Sequence, residues 1–179
     1  MNEAEVILVD ESDQPVGFAG KLEAHQRGLL HRAFSIFIFN SKGEMLLQQR
    51  APDKYHSGGL WSNACCSHPL PGETTSGAAQ RRLLEEMGIV TPLEKIFDFI
   101  YKAAFDNGLT EYEFDHVFAG NYEGDFIANE NEVMNSSFQK IPDIENALVS
   151  APEKFTVWFR IIFPRIKKWW ENQFADKTA

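Results

Sequence analysis

The sequence of 179 residues contains few cysteines and few basic residues, and both scarcities limit what the protein can be. Its two cysteines, Cys65 and Cys66, are adjacent, and neighbouring residues rarely form a disulfide. We therefore expect free thiols in a reducing compartment, by default the cytoplasm. The 17 Lys and Arg residues against 26 Asp and Glu give a net charge of -9. This balance argues against nucleic acid as a partner, but a small phosphate ester needs only a few local cations.

Long apolar runs and a leader sequence are also missing. No stretch approaches the roughly 18 consecutive apolar residues that span a bilayer, so we expect no membrane partner. The acidic residues from Met1 to Glu11 do not resemble a signal peptide. No repeat, low-complexity tract or linker divides the chain, so one domain is expected over residues 1–179, with its core at about residues 5–170.

The hydrophobic pattern predicts strands, one central helix, more strands and then further helices. Strands are predicted at residues 5–9, 14–19, 34–39, 45–50, 95–105 and 111–119, with 34–50 forming a hairpin and 51–62 a loop. Helices are predicted at residues 76–87, 142–148 and 155–170. Ser76 should cap the first helix, and Pro164 should kink or divide the last. This order predicts an α/β or α+β sandwich with helices on a mixed sheet.

The central helix carries a distinctive charge pattern. Glu73 is followed, after seven residues, by the run Arg81-Arg82-Leu83-Leu84-Glu85-Glu86-Met87-Gly88-Ile89. This segment resembles the Nudix box, with Ser67 in place of its first Gly and Arg82 in place of the first Glu of its helix. In Nudix hydrolases that Glu helps to bind divalent cations, which an Arg cannot ligate. The alternative interpretation is an ordinary surface ion pair between Arg82 and Glu86, four residues apart on one helix face.

A second motif surrounds the two cysteines. The run Trp61-Ser62-Asn63-Ala64-Cys65-Cys66-Ser67-His68-Pro69 resembles the Asn-x-x-Cys-x-His-Pro motif of type I isopentenyl-diphosphate isomerases. These enzymes share the Nudix fold but do not hydrolyse diphosphates. The resemblance implies that Cys66 is the catalytic thiol and that Cys65 is a bystander. A thiol needs a basic or cationic neighbour to act as a base, and His68 is two residues away. The alternative is a small buried apolar residue.

Several histidines and glutamates are candidate metal ligands. His25 and His31 precede a predicted strand, and His68 lies in the cysteine motif. Glu111 and Glu113 share one face of a strand, because strand residues two apart point the same way. Three imidazoles and two carboxylates suit Mn²⁺, Zn²⁺ or Fe²⁺ better than Ca²⁺. The isomerases place their metal at these positions, so the resemblance implies one Mn²⁺ or Zn²⁺ there.

The same resemblance assigns the remaining site residues. Glu113, working with Tyr101, is expected to protonate the terminal carbon of the substrate, while Cys66 removes a proton from C2 and Trp158 faces the cationic centre. Glu86 is expected to help hold Mg²⁺ on the diphosphate. The diphosphate itself is assigned to four cations: Lys21, Arg50, Lys54 and Arg82. Two histidines match no motif position and receive no role: His56 and His116.

The resemblance spans roughly residues 5–170. It implies a Nudix-type mixed β-sheet sandwich with flanking helices. It also implies a metal-dependent, flavin-independent isomerase of isoprenoid biosynthesis. Such an enzyme interconverts isopentenyl and dimethylallyl diphosphate through a tertiary carbocation. One alternative is a Nudix hydrolase of nucleotide or other diphosphates, which would need the missing helix Glu. Another is a non-catalytic metal-binding or scaffold domain, with a closed four-ligand site and no pocket. The sequence leaves the oligomeric state open.

Overall fold

The computed structural model describes residues 4–54, 56–105 and 107–174. Within these residues nine strands form one sheet. They are β1 (Glu5–Val9), β2 (Pro15–Gly20), β3 (His31–Phe39), β4 (Met45–Arg50), β5 (Trp61–Asn63), β6 (Cys65–Ser67), β7 (Glu94–Ala104), β8 (Thr110–Asn121) and β9 (Val133–Gln139). The helices are α1 (Lys21–Arg27), α2 (Thr75–Met87), α3 (Ile141–Ser150) and α4 (Val157–Phe174), with a 3-10 turn at Pro152–Lys154.

Strand β3 organises the sheet. It runs parallel to β8, from the pair His31↔Glu113 to the pair Phe39↔Asn121, and antiparallel to β6. Strand β7 continues the sheet antiparallel to β8. On the other side β4 runs antiparallel to both β9 and β5. Parallel and antiparallel pairs therefore coexist, which confirms the predicted mixed sheet and the α+β class.

The two faces of the sheet bury different helices. On β3, Phe37 packs with Phe159 of α4, whereas its neighbour Ile36 packs in the cluster that contains Leu83 of α2. Strand residues alternate between faces, so a strand covered on both sides has a continuous apolar run. None of the described helices is long and apolar enough to cross a bilayer.

Several predicted details of the secondary structure are wrong. Thr74, not Ser76, caps α2, because its Oγ1 accepts a hydrogen bond from the Gly77 amide at 3.1 Å. Pro164 lies inside a continuous α4, so the predicted division of the helix is wrong, while the kink stays a prediction. The helix persists because the flanking residues Phe163 and Ile166 are buried in the core, which offsets the backbone hydrogen bond that proline removes.

The predicted hairpin over residues 34–50 is also largely absent. Strands β3 and β4 meet only at the pair Phe39↔Met45, and the main partner of β4 is β9. The elements β5, β6, β9 and α1 were not predicted, because two are three-residue strands and α1 has seven residues, too few for a clear periodic pattern. The strands at residues 95–105 and 111–119 were expected to be joined by a turn at Asp106-Asn107-Gly108. Asp106 lies outside the described residues, but the Gly108 amide donates to the Phe105 carbonyl at 3.1 Å, as a turn at this position requires.

Candidate active site

Three strands bring the predicted catalytic groups to one face of the sheet. The β3–β6 register pairs Ser35 with Cys66, and the β3–β8 register pairs His31 with Glu113. Cys66 packs against the cluster under α4, whereas Cys65 is fully buried in the cluster under α2. The two adjacent thiols therefore have opposite surroundings, and Cys66 is the one on the face that carries Glu113.

A pocket lies on this face of the sheet. It brings together eight residues that the sequence predicted and two that it did not, Ser35 and His56. The lining residues are Lys21, Ser35, Arg50, His56, Cys66, His68, Tyr101, Glu111, Glu113 and Trp158. A pocket with convergent acids, a thiol, cations and an aromatic ring is the arrangement expected of an active site.

A cluster of imidazoles and one carboxylate lies beside the pocket, which His68 and Glu113 also line. The ligand atoms of His25, His31, His68 and Glu113 all lie within 4.8 Å of one another. His68 Nε2 is 2.9 Å from Glu113 Oε1, and His31 Nε2 is 3.6 Å from the same oxygen. Glu111 belongs to a second, overlapping set with His25 and His56. The five predicted ligands thus lie close together, but in two groups.

The histidine orientations fit a metal ion. His25 Nδ1 donates to the Lys21 carbonyl at 2.7 Å, and His31 Nδ1 donates to the Leu29 carbonyl at 2.8 Å. A carbonyl can only accept, so each Nδ1 carries a proton, and each ring directs its Nε2 into the cluster. Metal-ligating histidines commonly have this tautomer, fixed by an outer hydrogen bond. Imidazole and carboxylate donors suit a divalent transition metal.

Tyr101 links the two glutamates. Its hydroxyl lies 3.0 Å from Glu111 Oε2 and 2.6 Å from Glu113 Oε2. Burial and the charge of Glu113 raise the pKa of Glu111 well above its usual value. Burial acts in the same direction on Glu113, but contacts with His31 and His68 outweigh it and hold the pKa of Glu113 well below its usual value. Tyr101 therefore joins the two carboxyl groups in one continuous hydrogen-bonded chain.

Cys66 has partners that the sequence did not assign to it. Its Sγ donates to Asn63 Oδ1 at 3.1 Å and lies 3.5 Å from Ser35 Oγ, which donates to Asp115 Oδ2 at 2.7 Å. Burial and the charge of Asp115 raise the pKa of Cys66, which favours the thiol at neutral pH. His68, expected to support this thiol, directs its Nε2 at Glu113 instead. Asp115 was predictable in principle, because it follows Glu113 by two residues on the same strand face.

Aromatic rings close one side of the pocket. Trp158, buried on α4, lies under the Arg50 guanidinium, whose carbon is 5.2 Å from the ring centroid. The His56 ring stacks on Phe105 at 5.1 Å and meets the edge of Trp158 at 5.8 Å. Within the described part of the chain, Arg50 Nε and Trp158 Nε1 are buried donors without a hydrogen-bond partner.

A separate charged cluster lies on α2. Arg82 Nη2 donates to Glu86 Oε1 at 2.6 Å and to Glu132 Oε1 at 3.3 Å, and Lys54 pairs with Glu132. Glu86 is buried, so its pair with Arg82 is not the surface ion pair of the alternative interpretation. The three predicted residues therefore come together, with Glu132 as a member that no motif indicated. A cavity of about 260 Å³ is lined by both Arg82 and Lys21, and Lys21 also lines the pocket.

Known proteins resemble this chain along most of its length. The model of the NUDIX domain family matches residues 29–159. The chain is 50% identical to the isopentenyl-diphosphate Delta-isomerase of Pectobacterium atrosepticum over 167 residues, which cover 93% of each protein. It is 44% identical to the isopentenyl-diphosphate Delta-isomerase of Photobacterium profundum over 181 residues, covering 98% of each.

Two crystal structures share the fold at lower identity. A Deinococcus radiodurans protein, 18% identical, superposes with a TM-score of 0.74 over 90% of this chain and 98% of that one. The MutT protein of Methanosarcina mazei, 21% identical, superposes with a TM-score of 0.63 over 78% of this chain and 94% of that one.

Proposed function

We infer that this chain, which belongs to the isopentenyl-diphosphate Delta-isomerase family and has the Nudix fold, interconverts isopentenyl diphosphate and dimethylallyl diphosphate. The observation that carries this inference is the shared pocket, in which a thiol, Cys66, and an acid, Glu113, line the same enclosed space as Trp158. A Nudix hydrolase would need a carboxylate at position 82, where Arg82 stands paired with Glu86. The hydrolase alternative is therefore not favoured.

The reaction explains why such a pocket is needed. The substrate must gain a proton at its terminal CH₂ group and lose one from C2, and an alkene is a very weak base. A tertiary cation forms between the two steps, so the site needs an acid, a base and a wall that excludes water. Buried Trp158 offers an aromatic face to this cation.

We assign proton delivery to Glu113. Its Oε2 accepts a hydrogen bond from the Tyr101 hydroxyl, which also contacts Glu111. Glu111 contacts the same hydroxyl, so a proton could pass between the two carboxyl groups through Tyr101. This path would recharge Glu113 after it has protonated the terminal carbon.

We assign removal of the C2 proton to Cys66. Burial and the charge of Asp115 raise the pKa of its thiol, and the thiolate of a weak acid is a strong base once it forms. Ser35 lies between Cys66 and Asp115 and connects them by hydrogen bonds. The resting thiol would first pass its proton through Ser35 to Asp115, the Sγ thiolate would then take up the C2 proton, and Asn63 would orient the resulting thiol.

Two cation sites serve the reaction in this proposal. His25, His31, His68, Glu111 and Glu113 would hold one Mn²⁺ or Zn²⁺, which when bound supplies a positive charge that orients Glu113 and tunes its acidity. Glu86 would help to hold a Mg²⁺ ion on the diphosphate. The remaining charge is offset by four cations that surround the pocket and the neighbouring cavity: Lys21, Arg50, Lys54 and Arg82.

Two buried donors support the diphosphate assignment. Arg50 Nε and Arg82 Nε have no hydrogen-bond partner within the described residues, and a phosphate oxygen would satisfy either of them. We place the reaction in the cytoplasm, where both unpaired cysteines would stay reduced.

The proposed function is tested by incubating the protein with isopentenyl diphosphate and Mg²⁺ in D₂O and analysing the product by NMR after partial conversion. Two different groups handle the two protons, so deuterium should enter the carbon that becomes a methyl group, and hydrogen should leave C2. Dimethylallyl diphosphate without deuterium in that methyl group would contradict the two-group mechanism. Release of phosphate from nucleoside diphosphate derivatives, without isomerisation, would instead support a hydrolase.

A further inference from the structure

His56 is a pocket residue to which no sequence motif assigns a role. It comes from the segment between β4 and β5, whereas the other candidate ligands lie on α1, β3 and β8 and directly after β6. Its side chain lines the pocket and is only 9% exposed. Its Nε2 lies 3.6 Å from Glu111 Oε1. His56 therefore occupies the part of the site where Glu111 is separated from the larger group of histidines.

The orientation of the His56 ring matches that of the other buried histidines. Its Nδ1 lies 3.3 Å from Ser57 Oγ, so a hydroxyl oxygen can accept the Nδ1 proton while Nε2 faces Glu111. His25 and His31 show the same arrangement, with carbonyl oxygens as the acceptors. An outer oxygen on one ring nitrogen and a carboxylate opposite the other is the usual setting of an imidazole that ligates a metal.

The distances suit ligation better than a direct hydrogen bond. A separation of 3.6 Å between His56 Nε2 and Glu111 Oε1 is longer than an N–H···O hydrogen bond. Two donors that each bind one ion at about 2.0–2.2 Å lie roughly 3–4 Å apart. The ligand atoms of His25, His56 and Glu111 all lie within 4.8 Å of one another, and His25 also belongs to the larger set. His56 is thus placed beside the same centre.

We propose that His56 is a fourth imidazole ligand of the His/Glu metal centre, binding next to Glu111. This inference rests on the metal centre of the proposed function and adds one donor to it. With His56 included, the chain supplies six donors: the imidazoles of His25, His31, His56 and His68 and the carboxylates of Glu111 and Glu113. Catalytic metal sites that activate water keep a position open, and six protein donors would leave none. The metal would then orient Glu113 without forming a hydroxide nucleophile.

The ligand set can be counted directly with Co²⁺. In the Co²⁺-loaded native protein, each metal-bound imidazole contributes one exchangeable, strongly shifted N–H resonance to the proton NMR spectrum. We expect one such resonance for each of His25, His31, His56 and His68. Resonances for three imidazoles only, unchanged by substitution of His56, would overturn the proposal while leaving the metal centre in place. Failure to bind Co²⁺ at all would remove the centre itself.

The matched variant is His56→Phe. Phenylalanine keeps an aromatic ring between Phe105 and Trp158 but has no donor atom, so it separates ligation from wall packing. In competition with a chelator, His56→Phe should bind the metal at least ~10-fold more weakly than the native protein does. A ~10-fold loss is the smallest effect expected even for removing a residue that only hydrogen-bonds to a metal ligand. One resonance should also disappear. Native affinity in His56→Phe would contradict the proposal.

Two control variants make the comparison specific. Phe105→Leu removes the stacked ring and leaves every proposed donor, so its metal affinity should equal that of the native protein. His116→Phe makes the same chemical change at a histidine beside Asp13, outside the cluster, and should also leave affinity unchanged. If His56→Phe does not fold, His56→Gln gives the same test, and the resonance count in the native protein decides by itself.

Discussion

Both faces of the central sheet pack against an apolar cluster, and the pocket lies on one of them, although the faces are built from alternate residues of the same strands. Towards the pocket, β3 and β8 bury the polar groups Ser35, Glu113 and Asp115, whereas towards α2 the neighbouring residue of β3, Ile36, packs against Leu83. Burying polar groups destabilises a fold unless they are hydrogen-bonded, and burying apolar groups stabilises it. The apolar clusters on both faces therefore offset the unfavourable burial that the pocket requires.

The adjacent cysteines show how sharp this division is. Cys65 is fully buried under α2, and burial raises the pKa of its thiol well above the usual value. Cys66 lines the pocket one residue later. A shift of one residue along a strand thus separates a core position from a site position. If this division is correct, substitutions on the two faces should affect different measurable quantities.

The largest effect of a substitution is expected on the α2 face, where it should lower the free energy of unfolding. Ile36 is fully buried, so Ile36→Ala should lower the free energy of unfolding by about 2–5 kcal/mol through lost burial and the cavity that remains. Urea denaturation would measure this loss. Isomerase activity of the molecules that remain folded should stay close to native. A variant that is stable but inactive would show that the α2 face also shapes the pocket.

The next largest effect is expected for a substitution on the pocket face, where it should lower kcat. Cys66→Ala should reduce kcat by about 10²-fold or more, the usual contribution of a general base. Cys65→Ala is the matched control, because it removes the same sulfur from the opposite face and should keep most of the activity. Initial rates with isopentenyl diphosphate and Mg²⁺ measure both. Equal losses in the two variants would contradict the assignment of Cys66.

Arg82 is an exception to the division between the two faces, because it lies on α2 but is predicted to bind substrate. Arg82→Gln should raise KM by about 10-fold, since a hydrogen bond to a charged group contributes roughly 1.5–3 kcal/mol. Its effect on kcat should be smaller. Arg27→Gln serves as a control, because Arg27 forms an i,i+4 pair with Glu23 on the surface of α1. An unchanged KM in Arg82→Gln would remove Arg82 from the substrate site.

Many of the site residues could be predicted because they lie in short sequence motifs. Cys66 and His68 stand in one motif, and the two-residue spacing of Glu111 and Glu113 predicted their shared face, because strand geometry alone determines it. The mixed sheet followed from the order of strands and helices. The motif predicted that Cys66 is catalytic and Cys65 is not, and these roles stay predictions. The single domain over residues 1–179 also stays a prediction.

Other parts of the site depend on contacts between distant segments. His56 reaches Glu111 from the loop after β4, and Glu132 reaches Arg82 from the turn before β9. Neither residue lies in a periodic pattern, so only the packed chain places them. The pairing of β4 with β9 was missed for the same reason, because local turn signals between residues 40 and 43 suggested a hairpin with β3.

The smallest effect concerns pH and a residue that faces away from the pocket, His116. Its Nε2 lies 2.9 Å from Asp13 Oδ2, which favours the charged ring. Burial and the charge of Lys95 act in the opposite direction and prevail, so the pKa of His116 is lowered from 6.5. The unfolded chain, with the ordinary pKa, therefore binds a proton before the folded chain does as the pH falls.

This difference in pKa predicts the sign of the pH dependence. The contribution of His116 to stability is present above pH 6.5 and is lost as the pH falls from there through the lowered folded value. His116→Gln cannot titrate, so its urea midpoint should fall less between pH 7.5 and pH 5.5 than the native midpoint does. Groups distant from His116 should titrate alike in both proteins, so the difference between the two slopes reports on His116 and its immediate surroundings. If the variant instead loses more stability on acidification, Asp13 must hold His116 protonated in the folded state, and the lowered pKa is wrong.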